Sequence, residues 1–294
     1  MGDDQEITHA IGITGATGAL GGLVASRLAQ LGVAQRLIVR DLNRAPELPG
    51  ASAAMAAYEN QHEFERAVKG TGTLFLVSAT EAADRLRQHT SAVDAAVAAG
   101  VDRIVYLSFL AAAPDATFTF ARTHFHTEEH IRSTGVAYTF LRPSLYLDLM
   151  PYWAESSGVV RGPAGNGRVA WVAREDVADV ATAVLTGGAT HDGRTYDVTG
   201  PQALTLGETV DRLSALTGKA MRYLPETWEE ALESRRSSGA PEWAIEGWAS
   251  SYAAIATGEL DVVAPTVPDL TGHPAQTIEG HLRRRPTALA HVTG

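Results

Sequence analysis

Thr14-Gly15-Ala16-Thr17-Gly18-Ala19-Leu20-Gly21 is the stretch that decides how this chain is read. Ahead of it, residues 7–14 (Ile-Thr-His-Ala-Ile-Gly-Ile-Thr) form a β-rich run. Behind it, Leu20, Leu23, Val24, Leu28 and Leu31 recur at helical spacing until Gly32, a C-terminal stop. The stretch is therefore a turn from strand into helix. Backbone N–H groups in the first turn of a helix have no internal partner, and the helix dipole adds partial positive charge there. A pyrophosphate fits such a place wherever the backbone can be approached closely. Gly15 suits the tight turn, Gly18 leaves room for phosphates, and Gly21 lets the helix pack against the sheet. The spacing is Gly-x-x-Gly-x-x-Gly rather than Gly-x-Gly-x-x-Gly, and a glycine triplet alone also describes a plain structural turn. Its place between strand and helix is what marks a dinucleotide site. Gly15, Thr17, Gly18, Ala19, Leu20 and Gly21 are the expected cofactor contacts, joined by Ser78 at the end of a later strand.

Working outward, the pattern recurs. Strands are expected at 36–40, 73–78, 103–108 and 138–142, with helices at 83–99 and 124–133 between them. Strands alternating with helices imply an α/β doubly wound parallel sheet with helices on both faces. The second strand ends Arg40-Asp41-Leu42-Asn43-Arg44. Arg40 and Arg44 favour a 2′-phosphate and Asp41 opposes it if its carboxylate turns inward, so NADP is the expected cofactor and NAD the alternative. After Pro143, the residues Pro151, Gly158, Gly162, Pro163, Gly165 and Gly167 punctuate a loop-rich stretch. A helix at 173–186 and a strand at 194–198 return to the sheet. Beyond Thr205 the chain is mainly helical. The expected division is 1–152 with about 168–200 for the dinucleotide domain, about 153–167 with 201–285 for a smaller substrate lobe, and a flexible tail at 286–294.

Composition narrows the function. A 294-residue chain that is 45% hydrophobic builds a substantial core without staples. With no cysteine, disulfides, thiolate metal sites and a cysteine nucleophile are excluded. The formal charge of −10 repels nucleic acid and acidic membrane surfaces, and Arg283, Arg284 and Arg285 read as a solvated terminus. The opening residues lack a secretory pattern and no apolar run is long enough to span a membrane, so a cytoplasmic location is the expectation. His124, His126 and His130 do not share one ligand face of their helix, and Gly-x-Ser-x-Gly is absent, so neither a metal site nor a hydrolase has an anchor. The apolar stripes do not reveal the oligomeric state.

The glycine turn, together with Arg103-Ile-Val-Tyr-Leu-Ser108, Thr123-His124 with Glu128, Tyr138-Thr-Phe-Leu-Arg-Pro143, Gly-Asn-Gly-Arg-Val at 165–169 and Arg174-Glu-Asp-Val-Ala, resembles the NmrA-like group of atypical short-chain dehydrogenases. The likeness spans about 10 to 285 and is greatest to its NAD(P)H:quinone oxidoreductase and triphenylmethane reductase branch. It implies a Rossmann domain with a small C-terminal substrate lobe, and hydride transfer to flat, electron-poor acceptors. The group also contains regulators that bind the dinucleotide without turnover. Ordinary short-chain dehydrogenases carry Tyr-x-x-x-Lys, whereas here the corresponding stretch is Phe120-Ala-Arg-Thr-His124. The phenolic acid is missing and His124 stands where the lysine would be. Near residue 57, where relatives often carry an acidic residue, this chain reads Ala57-Tyr58.

Reducing an isolated ketone requires a proton at oxygen as the hydride arrives, whereas a conjugated acceptor spreads the charge over its ring system. The expected activity is NAD(P)H-dependent reduction of a quinone-like or polycyclic aromatic acceptor without a tyrosine acid. The alternatives are a dinucleotide-sensing regulator and an enzyme giving net oxygenation of an aromatic natural product through a reduced quinone. His124, Ser108 and Tyr146 are the candidate catalytic residues, His124 also being a cofactor contact. Phe109, Tyr146, Asp148, Tyr152 and Trp153 are candidates for the substrate crevice, and Trp171 and Trp243 are left as core.

Overall fold

The computed structural model describes residues 10–293. The chain runs β1 (Ala10–Thr14), α1 (Ala19–Gln30), β2 (Gln35–Val39), β3 (Ala51–Met55), α2 (Gln61–Val68), β4 (Thr71–Val77), α3 (Arg85–Ala98), β5 (Arg103–Leu107), α4 (Thr119–Thr134) and β6 (Ala137–Pro143). It continues through β7 (Val159–Gly162), β8 (Arg168–Val169), α5 (Arg174–Thr186), β9 (Arg194–Val198), β10 (Leu204–Thr205), α6 (Leu206–Thr217) and β11 (Arg222–Pro225). Four helices close it, α7 (Trp228–Arg236), α8 (Glu242–Ala256), α9 (Thr266–Thr271) and α10 (Ile278–Arg284).

The main sheet has the order β3-β2-β1-β4-β5-β6-β9 with every neighbouring pair parallel. Parallel neighbours need crossovers, and the crossover helices cover both faces. Helices α1, α5 and α9 pack on one face around Ile13, Val24, Leu28, Phe75 and Val180, and α2, α3 and α4 pack on the other around Phe64, Leu74, Tyr106, Ile131 and Phe140. The expected Rossmann-type doubly wound sheet is the fold. Residues 7–9 of the expected first strand lie outside the described residues.

In the half that carries β1 to β6, two elements escaped the pattern reading. Strand β3 is Ala-Ser-Ala-Ala-Met at the sheet edge, largely exposed and without a β-branched residue, so it has neither the composition nor the alternation of a strand. Pairing with β2 makes it one. Helix α2 is capped by the Asn60 side chain, which accepts from the Glu63 N–H, and buries Phe64, Ala67 and Val68.

The second lobe gathers α6, α7, α8 and α10 with two small ribbons, β7 paired to β11 and β8 paired to β10, around Leu147, Val169, Trp171, Leu206, Leu213, Tyr252 and Ile255. Helix α9, inside the span expected for this lobe, packs instead on α5 and β9. The expectation of a flexible tail is corrected here. Leu289 and Val292 are buried in the second-lobe core and the Thr293 N–H donates to the Ser156 carbonyl at 2.8 Å, because their apolar side chains complete that core. Arg285 is not simply solvated either, since it pairs with Asp148 (2.5 Å) and Glu175 (3.5 Å). Among the described residues no helix is long and apolar enough to cross a membrane.

Candidate active site

At the C-terminal ends of β1, β2, β3 and β4 the chain opens a cleft of about 380 Å³. This is where the strand order reverses, and ligands of open α/β sheets bind there. Its floor is the glycine turn. Gly15 adopts φ +65°, a left-handed conformation that glycine takes without strain, and its carbonyl accepts from the Gly18 N–H at 2.8 Å. A Cβ on Gly21 would sit 2.3 Å from the Gly15 carbonyl oxygen, so only glycine lets α1 start this close to β1. Gly18 caps α1 with an extended backbone and no side chain, leaving the first-turn N–H groups facing the cleft. Thr17, Gly18, Ala19, Leu20, Gly21, Arg40 and Ser78 all line it. Arg44 does not, standing exposed on the one-turn 3₁₀ helix Leu42–Arg44. The Asp41 carboxylate accepts from the Asn43 N–H at 3.0 Å, so it caps that turn and leaves Arg40 as the charged side chain at the end of β2.

Tyr58, Glu59, Ala79, Thr80, Ala82 and Gln88 line the same cleft and were not anticipated. The Tyr58 hydroxyl lies 2.7 Å from Thr14 Oγ1 and 2.5 Å from the Val77 carbonyl, tying β1 to β4 beneath the cleft. Glu59 places an acidic residue there, shifted two positions from Ala57. The rule that ligands sit at strand C-termini finds all these positions once β3 is known, and β3 is what the pattern hides.

A second cavity of about 470 Å³ lies toward the small lobe, lined by Phe118, Tyr152, Trp153, Trp248 and Tyr252 among others. Trp153 packs against Tyr252 with ring centroids 4.3 Å apart, and Tyr152 stands 77% exposed at the rim. The backbone between the two cavities is a strap, residues 79–84. Thr80 and Ala82 line the cleft and Glu81 lines the crevice, where the Trp248 Nε1–H donates to its carboxylate at 3.4 Å.

Of the remaining candidates, Ser108, Phe109, His124, Tyr146 and Asp148 line neither cavity among the described residues. Ser108 donates to Glu128 at 2.5 Å, and Arg142 grips both oxygens of the same fully buried carboxylate at 2.8 and 2.6 Å. Phe109 stacks edge-on against Phe118 at 4.9 Å. The Arg174 guanidinium lies 4.9 Å over the Tyr146 ring, and burial pushes the Tyr146 phenol up. Asp148 accepts from the Arg174 N–H at 2.9 Å and pairs with Arg285. Phe120 packs where a Cβ on Gly247 would stand 2.1 Å from its ring, so it belongs to the contact between α4 and α8.

His124 is buried between Arg85 Nη2, 3.0 Å from Nε2, and the Tyr106 hydroxyl, 2.9 Å from Nδ1. A guanidinium only donates, so Nε2 must be bare and the proton must sit on Nδ1. His89 is held the same way. Its Nε2 accepts from the Ala79 N–H at 2.8 Å, and its Nδ1–H donates to Thr127 at 2.9 Å. Both imidazoles are neutral. Burial first and the Arg85 charge second push His89 down to about 3 and His124 well below the usual histidine value.

Unfolded histidines take up protons below about pH 6.5, and these two refuse them when folded. The unfolded state then binds more protons, so stability falls as pH drops from about 6.5 toward about 3, and the pair adds no slope above that range. Urea midpoints are expected to be lower at about pH 5 than at about pH 7.5, with a shallower difference in His89→Gln. An equal slope in that variant would show that other groups carry it.

A family model described as NAD(P)H-binding matches residues 15–187. The chain is 38% identical over 275 residues to the (4-alkanoyl-5-oxo-2,5-dihydrofuran-3-yl)methyl phosphate reductase of Streptomyces griseus, covering 90% of this chain and 93% of that one. The NADPH-dependent quinone oxidoreductase of Escherichia coli, solved with NADPH, superposes with a TM-score of 0.86 at 31% identity over 94% of this chain and 99% of its own. The triphenylmethane reductase of Citrobacter sp. does so with a TM-score of 0.81 at 30% identity over 96% and 99%.

Proposed function

From the premise that this chain belongs to the NAD(P)H-binding family, within the NmrA-like group of atypical short-chain dehydrogenases, we propose that it reduces conjugated, quinone-like or polycyclic acceptors without a tyrosine acid. The observation that carries the reading is the strap. One backbone segment is shared by a cleft built for a dinucleotide and a crevice walled by aromatic rings. The residues of the cleft fit the cofactor. The Gly18–Gly21 N–H groups suit a pyrophosphate and Arg40 suits a 2′-phosphate, and glycine at 21 lets α1 start close against β1. When bound, the reduced nicotinamide supplies a hydride, which with one proton from solvent completes a two-electron reduction.

The chain's own residues orient the partners and exclude water. Trp153 and Tyr252 offer flat surfaces for a planar acceptor. Phe120 occupies the acid's place in the chain and turns to the lobe contact, so an acceptor that delocalises its incoming charge suits the site better than an isolated ketone. Ser108 and His124 are engaged within the fold, by Glu128 and by Tyr106 and Arg85 respectively.

The test follows NAD(P)H oxidation by the purified protein with neutral quinones, azo compounds and dyes. Turnover with at least one acceptor, and a KM raised roughly tenfold in Trp153→Ala, is expected. Tight dinucleotide binding without turnover on any acceptor would overturn the reading in favour of a sensor. Arg40→Ser is expected to cut the preference for NADPH over NADH by roughly ten- to a hundredfold, the worth of one charge-assisted phosphate contact. An unchanged ratio of Kd values would remove Arg40 from the 2′-phosphate.

A further inference from the structure

One wall of the aromatic crevice is a short stretch in which Tyr152, Trp153 and Glu155 all line the cavity. Glu155 spends its own backbone groups locally, its N–H donating to the Val159 carbonyl at 2.8 Å and its carbonyl accepting from the Gly158 N–H at 2.9 Å. The carbonyls on either side of it, those of Ala154 and Ser156, accept from residues more than 130 positions away. The His291 Nε2–H donates to the Ala154 carbonyl at 3.0 Å. The Thr293 N–H donates to the Ser156 carbonyl at 2.8 Å, and its hydroxyl donates to the same oxygen at 3.2 Å. The His291 ring also lies nearly parallel to the Tyr152 ring, 8° apart in plane with centroids separated by 6.4 Å.

The segment that supplies these donors is itself anchored. Leu289 and Val292 are buried in the second-lobe core, and the Lys219 ammonium donates to the Val292 carbonyl. Buried apolar side chains thus share a short segment with donors that reach the crevice wall. The wall needs such a support, because it is built on a single 3₁₀ turn (Met150–Trp153) and a loop, which fix their side-chain directions only as well as their backbone is held. Trp153, which meets Tyr252 at 4.3 Å and Trp171 at 5.1 Å, is the ring with most to lose.

We propose that residues 289–293 are a positioning brace for the acceptor crevice, His291 and Thr293 fixing the backbone that aims Tyr152 and Trp153 at a planar molecule. This rests on the proposed reductase reading in so far as that reading assigns the crevice to the acceptor. His291 lines neither cavity, so it acts through Ala154 and Tyr152 as a positioning residue.

The test measures binding and backbone opening apart from turnover. Quenching of Trp153 and Trp248, which line the crevice, reports the Kd of a neutral naphthoquinone in the presence of NADP⁺, and hydrogen exchange reports opening of residues 150–160. His291 sits at the surface, so His291→Ala keeps its fold. In that variant the naphthoquinone is expected to bind roughly three- to tenfold more weakly, the worth of one hydrogen bond, with the Kd of NADPH within about twofold of wild type. Exchange at 150–160 is expected to rise while exchange across the glycine turn stays as it was. His291→Gln, whose amide donates to the same carbonyl, is expected to restore most of the affinity. The proposal is overturned if His291→Ala binds the naphthoquinone like wild type, if naphthoquinone and NADPH weaken by the same factor, or if His291→Gln is as impaired as His291→Ala. Unchanged exchange at 150–160 overturns it whatever the quinone does. Wild-type protein that binds the quinone, binds it more weakly on His291→Ala and yet reduces no acceptor would count against the reductase reading alone.

Discussion

Gly21→Ala is expected to weaken NADPH binding by roughly a hundredfold or more and to lower the melting temperature by several degrees. The added Cβ would lie 2.3 Å from the Gly15 carbonyl oxygen, 2.6 Å from the Gly15 carbonyl carbon and 2.9 Å from the Thr14 carbonyl oxygen. All three are backbone atoms of the turn itself, so no rotamer change relieves the clash. Helix α1 must move away from β1, and its first-turn N–H groups move with it. Overpacking of a well-filled contact costs about 1–3 kcal/mol, and this one belongs at the upper end because nothing flexible gives way. At this chain size each kcal/mol is worth roughly 2–4 °C. Gly18→Ala is the control, since its Cβ meets one atom, the Gly15 carbonyl oxygen, at 3.2 Å. Thermal unfolding and a fluorescence titration with NADPH measure both variants. If Gly21→Ala bound the cofactor like wild type, the close start of α1 would not be what shapes the phosphate site.

The second large effect is expected at residues that line neither cavity. Arg142→Met should destabilise the fold by about 3–5 kcal/mol, a melting-point loss of roughly 6–20 °C. Glu128 is fully buried, and Arg142 meets it with two hydrogen bonds while the Ser108 hydroxyl donates a third. Removing the guanidinium leaves a carboxylate in the interior with only Ser108 and Arg132, the latter 3.5 Å away, to hold it. The remaining arginine places the loss in the lower half of the range. The double variant Glu128→Gln/Arg142→Met is expected to recover a good part of the stability, because it removes the stranded charge as well as its partner. Calorimetry on the three proteins decides it. A loss no larger than that of breaking the exposed Arg236–Glu233 pair would mean that the buried pair does not hold β6 against α4.

Much of the cofactor half was legible in the chain. The strand, glycine turn and helix around Gly15–Gly21 read directly because a close turn leaves few residue choices, and the apolar period of α1 continues it without a break. Strands β4, β5 and β6 read as well, being rich in Val, Ile, Leu and aromatic residues, as strands buried on both faces are. Edge strand β3 did not, since an exposed edge needs no apolar signature, and Tyr58 and Glu59 were lost with it. The crevice toward the small lobe was harder. Tyr146, Asp148, Tyr152 and Trp153 follow β6 within ten residues, yet the chain turns two of them into an aromatic crevice and the other two into contacts with Arg174 and Arg285. No spacing rule separates them, because their directions are set by partners more than twenty residues away.

By itself, the sequence determined what local geometry enforces, namely the alternating strands and helices, the glycine turn and the dinucleotide it is built to meet. The tertiary structure alone decided which polar groups face a ligand and which face each other. His124 takes its protonation state from Arg85, brought to it from another helix, and Ser108 spends its proton on Glu128. Glu81 meets a crevice whose far wall, Trp248 and Tyr252, lies more than 150 residues further along the chain. Charge and hydrogen bonding act through space, and a linear pattern records only what is near in sequence.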